Sequence, residues 1–220
     1  KELIKKELPG HEFSCDLEGL EEAEVLSVFV STEVDKAMIA KMPKLKLITT
    51  RSTGFDHIDL ATAKAKNIVV SSVPGYGENT VAEFAFSLLL NLTRKTYQGI
   101  DRIKETGSFF FDNLRGVDLK GKTIGVVGTG RIGKESIKIA QGFSMKVIGF
   151  DPYPDENLKI EYKNSLEELM QEADVVTLHV PYNKKTHHLI NKNNIDIIQK
   201  ACALHGIPTR VTLELSPRGF

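Results

Sequence analysis

The chain has 220 residues, of which 29 are Lys or Arg and 29 are Asp or Glu, so its formal charge at neutral pH is zero. This balance argues against a nucleic-acid-binding protein, whose surface normally carries a net positive charge that replaces phosphate counterions. Hydrophobic residues make up 41% of the chain and charged residues 26%. That composition supports a buried core and excludes disorder, and the length allows one large or two modest domains.

The longest apolar run argues against a membrane anchor. Residues 84–92 are interrupted by Ser87 and Asn91 and fall well short of the roughly 20 residues that a membrane-spanning helix needs. The two cysteines, Cys15 and Cys202, have no spacing typical of a disulfide framework or a zinc site. Because the first residues are charged and unlike a signal peptide, we expect a cytoplasmic protein without a metal site.

Strand and helix patterns alternate through the first part of the chain. The predicted strands are residues 24–30, 45–50 and 68–73, and the predicted helices are residues 34–42 and 59–66. Pro43 ends the first helix, Asp59 is the predicted N-cap of the second, and Asn67 stops it. Alternation at this length favours an open parallel sheet flanked by helices.

A long helix follows at residues 79–95, where apolar side chains recur at helical spacing. Residues 105–120 contain two glycines and three consecutive phenylalanines, and this segment marks the predicted boundary between two domains. Further alternation predicts strands at 123–127, 146–150 and 174–180 and helices at 131–143 and 165–172. We therefore predict domains at 1–104 and 105–200, followed by a divergent tail at 201–220.

Residues 123–133 have the sequence TIGVVGTGRIG, in which a strand runs directly into a glycine-rich turn and a helix. Gly128 allows the tight turn, Gly130 lets the backbone approach a pyrophosphate, and Gly133 permits close packing of helix and strand. The N–H groups at the start of the helix face the anion. This pattern predicts a dinucleotide-binding turn.

Asp151 identifies the expected cofactor as NAD. It ends the next predicted strand, 23 positions beyond Gly128, where a carboxylate can accept hydrogen bonds from ribose hydroxyls. A 2′-phosphate would be repelled by about 1 to 4 kcal/mol at a separation of about 4 Å, depending on the dielectric. The alternative is that Asp151 only opens a turn with Pro152.

A P-loop is the rival interpretation of the same turn. Residues 128–135, GTGRIGKE, match that pattern up to its last position, where Glu135 replaces the Ser or Thr that binds magnesium. We therefore reject a nucleotide hydrolase and interpret Lys134 as a solvated helix residue.

Four segments of the chain resemble the D-isomer-specific 2-hydroxyacid dehydrogenases, most closely their D-lactate dehydrogenase branch. They are RSTGFDHIDL at 51–60, VPGYGENTVAEFAFSLLL at 73–90, LKGKTIGVVGTGRIGK at 119–134 and EADVVTLHVPYNKKTHHLIN at 172–191. The resemblance implies a Rossmann-type doubly wound parallel sheet and a flavodoxin-like α/β substrate domain, both incomplete here. It also implies reduction of a 2-keto acid by NADH in the cleft between them.

The resemblance assigns roles to individual residues. The substrate side would comprise Thr53 and Gly54, whose backbone amides would receive the substrate carboxylate, and Tyr76, which would line the pocket. The cofactor side would comprise Gly128, Gly130, Gly133, Asp151, the pair Arg131 and Ile132 over the pyrophosphate, and Val180, Pro181 and Thr186 along the nicotinamide. The helix around residues 84–92 resembles the family's dimer-forming region, so the resemblance also implies a homodimer.

Several histidines are weaker candidates. Asp56 and His57 form a possible acid–base pair, but we interpret Asp56 as a helix cap and His57 as exposed. His179 ends a strand, where we expect a hydrogen-bonded structural role. His187 and His188 are adjacent, point to different faces and lack further metal ligands.

The family pattern breaks near residue 201. The family has a central strand there that ends in a substrate-clamping arginine, whereas this chain has Pro208 inside the expected strand and Val211 after Arg210. We therefore transfer no catalytic role to Arg210. The resemblance places a proton-donating histidine and its glutamate partner beyond residue 220, and residues 1–6 match the helix after the family's first strand.

These observations predict an NAD-dependent oxidoreductase chain that is incomplete and has little turnover by itself. We hypothesise that a shifted reading frame or a disrupted gene produced the tail, which resequencing of the coding DNA tests. The alternative is a non-catalytic module that binds NAD and mediates association. The preferred 2-keto acid is not determined by the sequence.

Overall fold

The computed structural model describes residues 2–14 and 19–197 and the backbone of a strand at 212–214. The chain divides into two compact units, Lys1–Pro74 and Gly75–Phe220. This division lies about thirty residues before the predicted boundary at 105–120, because the long helix that follows Pro74 packs into the core of the second unit. The substrate and cofactor roles assigned to the two predicted domains stay predictions.

The first unit is a three-stranded parallel sheet with helices between its strands. Its elements are helix α1 (Glu2–Glu7), a 3₁₀ turn (Leu20–Glu22), β1 (Val25–Val28), α2 (Lys36–Ala40), β2 (Leu47–Thr50), α3 (Leu60–Ala65) and β3 (Val69–Ser71). The sheet order is β1-β2-β3, with Ile48 of β2 opposite Leu26 and Val70. Each of the three strands is shorter than the apolar run that predicted it.

Local sequence signals set the helix boundaries of this unit. The Asp35 side chain accepts a hydrogen bond from the Met38 N–H at the start of α2. Asp59 does the same for the Thr62 N–H at the start of α3, which confirms it as the predicted N-cap. Asn67 adopts a positive φ of 57° directly after α3, and this left-handed conformation ends the helix.

The second unit is built on a five-stranded parallel sheet. Its elements are helices α4 (Glu78–Thr93) and α5 (Thr96–Thr106), β4 (Thr123–Val127), α6 (Arg131–Gly142), β5 (Lys146–Phe150), β6 (Glu161–Tyr162), α7 (Leu166–Glu172), β7 (Val175–Leu178) and β8 (Thr212–Glu214). The strand order is β6-β5-β4-β7-β8. The first strand of the unit is central and the chain moves outward from it on both sides, which is the order of a doubly wound sheet. The predicted parallel α/β architecture is confirmed.

Side chains alternate between two cores on either face of this sheet. In β4, Ile124 and Val126 pack with α4 and α6, whereas Val127 packs with α7. Gly125 also faces α7, since a methyl group there would meet Leu169. This period of two is the pattern of a strand buried on both faces. The sheet is therefore covered by helices on both sides.

The predicted helix at 79–95 ends earlier than expected and is followed by a second helix. Lys95 adopts a positive φ of 53° between α4 and α5, so the chain changes direction there. The chain then returns against the end of α4, where the Val117 N–H donates to the Thr93 carbonyl at 2.8 Å. The two-residue strand β6 was not predicted either, because a short edge strand leaves little periodicity.

Most of the tail lies outside the described residues. This applies to Pro208, Arg210 and Cys202, and also to Cys15 near the other end of the chain. The strand β8 does pair in parallel with β7, with Thr212 opposite Val176. Within the described ranges, no helix has the length and apolar content that spanning a membrane requires.

We predict that Gly125→Ala destabilises the second unit, because a Cβ at this position would lie 2.3 Å from Leu169 Cδ2 and 2.8 Å from its Cγ. Overpacking of this kind costs about 1–3 kcal/mol in the free energy of unfolding. Urea denaturation measures the change. The control is Gly142→Ala at the end of α6, where a Cβ would meet nothing within 4 Å and stability should not fall.

The double variant Gly125→Ala/Leu169→Ala should be less destabilised than the sum of its two single variants, because removal of the leucine side chain makes room for the new methyl group. Strictly additive effects would show that the Leu169 side chain is not what constrains this position.

Candidate functional site

The candidate site lies where three neighbouring strands end. Gly128 follows β4, Asp151 follows β5 and His179 follows β7. Because the carboxyl ends of parallel strands meet at one edge, the fold places these three positions together, at the edge where doubly wound sheets bind ligands. The His179 N–H donates to Val127 and the Gly128 N–H donates to Phe150 at 2.8 and 2.9 Å, which ties the three strand ends to one another.

Two glycines of the turn are required by close backbone contacts. Gly128 has a positive φ of 87°, and a Cβ there would lie 2.5 Å from the His179 carbonyl oxygen. A Cβ on Gly133 would lie 2.1 Å from the Gly128 carbonyl oxygen. Neither backbone atom can move aside cheaply, so the turn and the first helical turn of α6 form one tightly packed piece.

Gly130 instead faces open space, since a Cβ on it would have no atom within 4 Å. It is the N-cap of the twelve-residue helix α6, and no side chain caps this end. The N–H groups and the positive end of the dipole at this helix start therefore have no capping side chain, and the space next to Gly130 is open. These features fit an anionic group such as a pyrophosphate.

The Asp151 carboxylate is fixed against the glycine turn. Its Oδ2 accepts a hydrogen bond from the Thr129 N–H at 2.8 Å and from the Thr129 hydroxyl at 3.3 Å, and its Oδ1 accepts from the Tyr153 N–H at 2.9 Å. The residue is half-buried. The structure thus brings Asp151 to the turn, as the spacing of 23 residues predicted, and its Oδ1 also opens the turn at Pro152 by accepting from the Tyr153 N–H.

The remaining predicted cofactor residues surround this turn. Val180 contacts it, because its Cγ1 lies 3.0 Å from a Cβ built on Gly128. Thr186 closes a tight loop after β7 by donating its hydroxyl to the Pro181 carbonyl at 2.6 Å. Ile132 is half-buried in the first turn of α6. The predicted contacts of Val180, Pro181 and Thr186 with a nicotinamide stay predictions.

Arg131 begins α6 and lies next to Glu78 of α4. Its Nη1 is 3.7 Å from Glu78 Oε1, and the arginine side chain is 62% exposed. A cleft of about 650 Å³ borders both residues and continues along the outer side of α6 to Gln141 and Leu158. The lining of the cleft includes Arg131 but not Gly128, Gly130 or Asp151, so the cleft lies beside the glycine turn.

His179 is a neutral structural histidine, as expected. Its Nε2 lies 2.8 Å from the Ser136 hydroxyl on α6 and 3.0 Å from the Thr177 hydroxyl on β7. Burial in this position lowers the pKa of His179 to about 4. The side chain therefore joins helix to strand directly beneath the glycine turn, without a charge at neutral pH.

Lys134 lies on α6 and is partly exposed to solvent, and it also forms an ion pair that the sequence did not predict. Its Nζ lies 2.5 Å from Asp155 Oδ2, and its side chain is only 41% exposed. The hydrogen bond to Lys134, together with hydrogen bonds from Asn157, lowers the pKa of Asp155 to about 2. The same hydrogen bond raises the pKa of Lys134. Sequence spacing missed the pair because 21 residues separate its members.

The predicted substrate residues are divided between the two units. In the first unit, the Thr53 hydroxyl donates to the Val73 carbonyl at 3.0 Å, and the exposed Gly54 accepts from the Ser52 hydroxyl at 2.7 Å. In the second unit, Tyr76 is 57% exposed. Thr53 and Gly54 thus lie in an ordered loop after β2, and the structure does not test their proposed contacts with a substrate.

Two expectations about histidines are wrong. His57 is 3% exposed, with its Nε2 3.1 Å from the Thr50 hydroxyl, so it belongs to the interior of the first unit. The rings of His187 and His188 do not point apart, since their centroids are 3.8 Å apart.

Asp59, and not Asp56, caps α3. In the ranges 2–14 and 19–197, no group of three or more side chains is arranged to hold a metal.

The sequence interpretation missed two side chains that contact the site. Thr129 occupies a variable position of the glycine motif and donates to Asp151. Tyr162 of β6 donates its hydroxyl to the Thr129 hydroxyl at 2.9 Å. Motif spacing gives no signal for Tyr162, because its strand is short and 33 residues separate it from Thr129.

Comparison with known proteins gives a family match over the second unit. Residues 86–204 match the model of the NAD-binding domain of the D-isomer-specific 2-hydroxyacid dehydrogenases. The chain is 38% identical over 162 residues to a D-lactate dehydrogenase of Staphylococcus aureus, which covers 73% of this chain and 49% of the relative. It is 37% identical over 188 residues to a D-3-phosphoglycerate dehydrogenase of Methanocaldococcus jannaschii. That alignment covers 84% of this chain and 36% of the relative. The chain thus spans about half or less of the length of these relatives.

A solved structure of similar fold is the D-lactate dehydrogenase of Aquifex aeolicus complexed with NAD and lactic acid. It aligns with a TM-score of 0.83 and 38% sequence identity. The alignment covers 90% of this chain and 62% of that one.

We predict that His179 makes the stability of the chain depend on pH below about 6.5. Its pKa is about 4 in the folded state and about 6.5 in the unfolded state. Between these values the unfolded state binds a proton that the folded state does not, so stability falls as the pH falls. From pH 7 to pH 5 this histidine should account for a loss of about 2 kcal/mol in the free energy of unfolding.

Urea denaturation at pH 7 and pH 5 measures this loss. His179→Gln keeps a hydrogen-bonding side chain but does not titrate, so its stability should fall by about 2 kcal/mol less than that of the unsubstituted chain. His11→Gln removes an exposed histidine and should leave the pH dependence unchanged. An equal pH dependence in His179→Gln and the unsubstituted chain would contradict the assignment.

Proposed function

This chain belongs to the family of D-isomer-specific 2-hydroxyacid dehydrogenases, and from this premise we propose that it acts in the NAD-dependent interconversion of a 2-keto acid and a D-2-hydroxy acid. The observation that carries the proposal is the Asp151 carboxylate, which is held against the N–H of Thr129 in the glycine turn. A carboxylate in this place can accept hydrogen bonds from ribose hydroxyls and repels a 2′-phosphate. Both effects support NAD as the cofactor.

The cofactor side of the proposal uses residues of the second unit. The open space at Gly130 and the uncapped start of α6 fit a pyrophosphate, and the backbone of Arg131 and Ile132 would contribute there. The loop with Val180, Pro181 and Thr186 would lie along the nicotinamide side. When bound, NADH supplies the hydride that reduces the keto carbon.

The substrate side of the proposal uses the loop after β2 and the start of the second unit. Backbone N–H groups at Thr53 and Gly54 would bind the carboxylate of the 2-keto acid, and Tyr76 would line its pocket. Support comes from the ordered path of this loop, which the hydrogen bonds of Ser52 and Thr53 fix at both ends. We assign the first unit to substrate and the second to cofactor on this basis.

The decisive experiment is a titration of the 220-residue chain with NADH and NADPH, followed through the fluorescence of the cofactor, since the chain has no tryptophan. We expect NADH to bind more tightly than NADPH. Asp151→Asn should weaken NADH binding and reduce the preference over NADPH about tenfold, because the like-charge repulsion of the 2′-phosphate, about 1 to 4 kcal/mol, disappears. Absence of NADH binding would contradict the proposal.

A second measurement, oxidation of NADH with pyruvate and other 2-keto acids, separates an enzyme from a non-catalytic NAD-binding module. Residues 201–210 depart from the family pattern at the position of the substrate-clamping arginine, so little turnover by this chain stays our expectation. A normal turnover number would contradict that expectation and support the enzyme. Binding without turnover fits both the module and an incomplete enzyme, and only a full-length chain with a repaired tail distinguishes the two.

The partner that we propose for the second unit is another copy of the same chain. Helix α5 has no buried residue, and its apolar side chains Tyr97, Ile100 and Ile103 recur at a spacing of three. The rings of residues 109–111 follow it and are between 75% and 85% exposed. Arg102 donates to the Phe110 carbonyl at 2.9 Å, so the backbone that presents these rings is fixed. A contiguous exposed apolar surface of this kind is typical of an interface.

We predict that Ile100→Glu converts a dimer into a monomer, because a charge in the centre of an apolar interface is left unpaired when buried. Light scattering coupled to size-exclusion chromatography should give twice the mass of one chain for the unsubstituted protein. It should give the mass of one chain for the variant. Glu105→Gln changes an exposed polar residue of the same helix and should stay dimeric. A monomeric unsubstituted chain would refute the homodimer.

We also propose a cytoplasmic location. It is supported by the two cysteines, Cys15 and Cys202, which are too few and too far apart for a disulfide framework. Fractionation of cells that express the chain tests it.

A further inference from the structure

A directed series of hydrogen bonds runs from the edge of the second sheet to Asp151. The Asp155 N–H donates to the Tyr162 hydroxyl at 3.2 Å, and this hydroxyl donates to the Thr129 hydroxyl at 2.9 Å. The Thr129 hydroxyl donates to Asp151 Oδ2 at 3.3 Å. Each hydroxyl has one proton, so the amide at the start and the carboxylate at the end determine the direction of the whole series.

The ring of Tyr162 is also held in place by packing against β5. A Cβ on Gly149 of β5 would lie 3.2 Å from Tyr162 Cε1 and 3.3 Å from Thr129 Cγ2. The ring and the Thr129 methyl group therefore rest on the bare backbone of β5, two residues before Asp151. A larger residue at 149 would push both side chains away from the carboxylate.

This arrangement determines which acceptor sites of Asp151 remain for a ligand. Two donors of Thr129 reach Oδ2 and the Tyr153 N–H reaches Oδ1. The carboxylate has about four lone-pair sites, so these three donors hold it in one orientation and leave about one site for a ribose hydroxyl. The contact of the Thr129 hydroxyl, at 3.3 Å, is the longest of the three.

A cation close to this edge is already paired with a carboxylate. Lys134 lies one turn into α6, and its Nζ is paired with Asp155 at 2.5 Å. Asp155 thus serves both features, because its backbone N–H orients Tyr162 and its carboxylate neutralises Lys134.

We propose that Tyr162 and Thr129 are positioning residues that hold the Asp151 carboxylate in the orientation that selects NAD over NADP. Neither side chain needs to touch the cofactor for this role, since both act through Asp151. The inference rests on the proposed function, because it assumes that the glycine turn and Asp151 bind an adenine dinucleotide.

The test compares NADH and NADPH binding to three variants of the 220-residue chain. Tyr162→Phe keeps the ring on Gly149 but removes the donor to Thr129, and Thr129→Val keeps the shape but removes the donor to Asp151. Each should weaken NADH binding about threefold to tenfold, the value of one hydrogen bond, and leave NADPH binding nearly unchanged. Thr129→Ser retains the hydroxyl and should restore the preference of the unsubstituted chain.

Thr96→Val is the matched control for Thr129→Val, since it removes a hydroxyl from an exposed position at the start of α5 and should change neither affinity. A thermal unfolding midpoint for each variant separates a loss of fold from a loss of selection. Asp155→Asn adds an independent arm: it releases Lys134 from its ion pair, so NADPH binding should strengthen about threefold or more.

The outcomes distinguish the two proposals. If the unsubstituted chain binds NADH but Tyr162→Phe and Thr129→Val keep its preference over NADPH, the positioning role is overturned and the proposed function stands. Equal weakening of both cofactors also overturns it, because that result would mean general support of the turn. If the unsubstituted chain binds neither cofactor, both the proposed function and this inference fail.

Discussion

The structure of the second unit depends on one close backbone contact between the glycine turn and the helix that follows it. The Gly128 carbonyl oxygen approaches Gly133 so closely that a Cβ there would lie 2.1 Å away. This contact fixes the start of α6 above the end of β4 and therefore fixes where the positive end of the helix dipole points. Asp151 lies beside this helix start, because its carboxylate accepts from the Thr129 N–H of the turn.

The polar groups around the turn differ in burial and in hydrogen-bond partners. His179 joins α6 to β7 beneath the turn and is neutral because it is buried. Asp151 lies above it, half-buried, with its orientation set by Thr129 and Tyr153. Burial thus separates a histidine that holds the scaffold from a carboxylate that remains able to accept further hydrogen bonds.

The two compact units bury their apolar side chains separately. The first unit has its own core around β2, and the second has one core on each face of its sheet. Each unit is therefore stabilised by apolar contacts of its own. The long helix α4 belongs to the second unit because Phe86 and Leu89 pack with β4 and α6.

The sequence by itself determined the β4–α6–β5 unit, the glycine turn and the place of Asp151. The strands at 123–127 and 146–150 have the predicted bounds, because period-two burial and a helix start after glycine are local properties of the chain. The N-cap Asp59 was predictable for the same reason.

Only the tertiary structure decided which distant side chains meet. The hydroxyl of Tyr162 reaches Thr129 across 33 residues, and Lys134 finds Asp155 across 21. The burial of His57 and the assignment of α4 to the second unit also follow from packing. Such contacts depend on strand order and on the side of the sheet that each element covers, and neither is encoded in the spacing of residues along one segment.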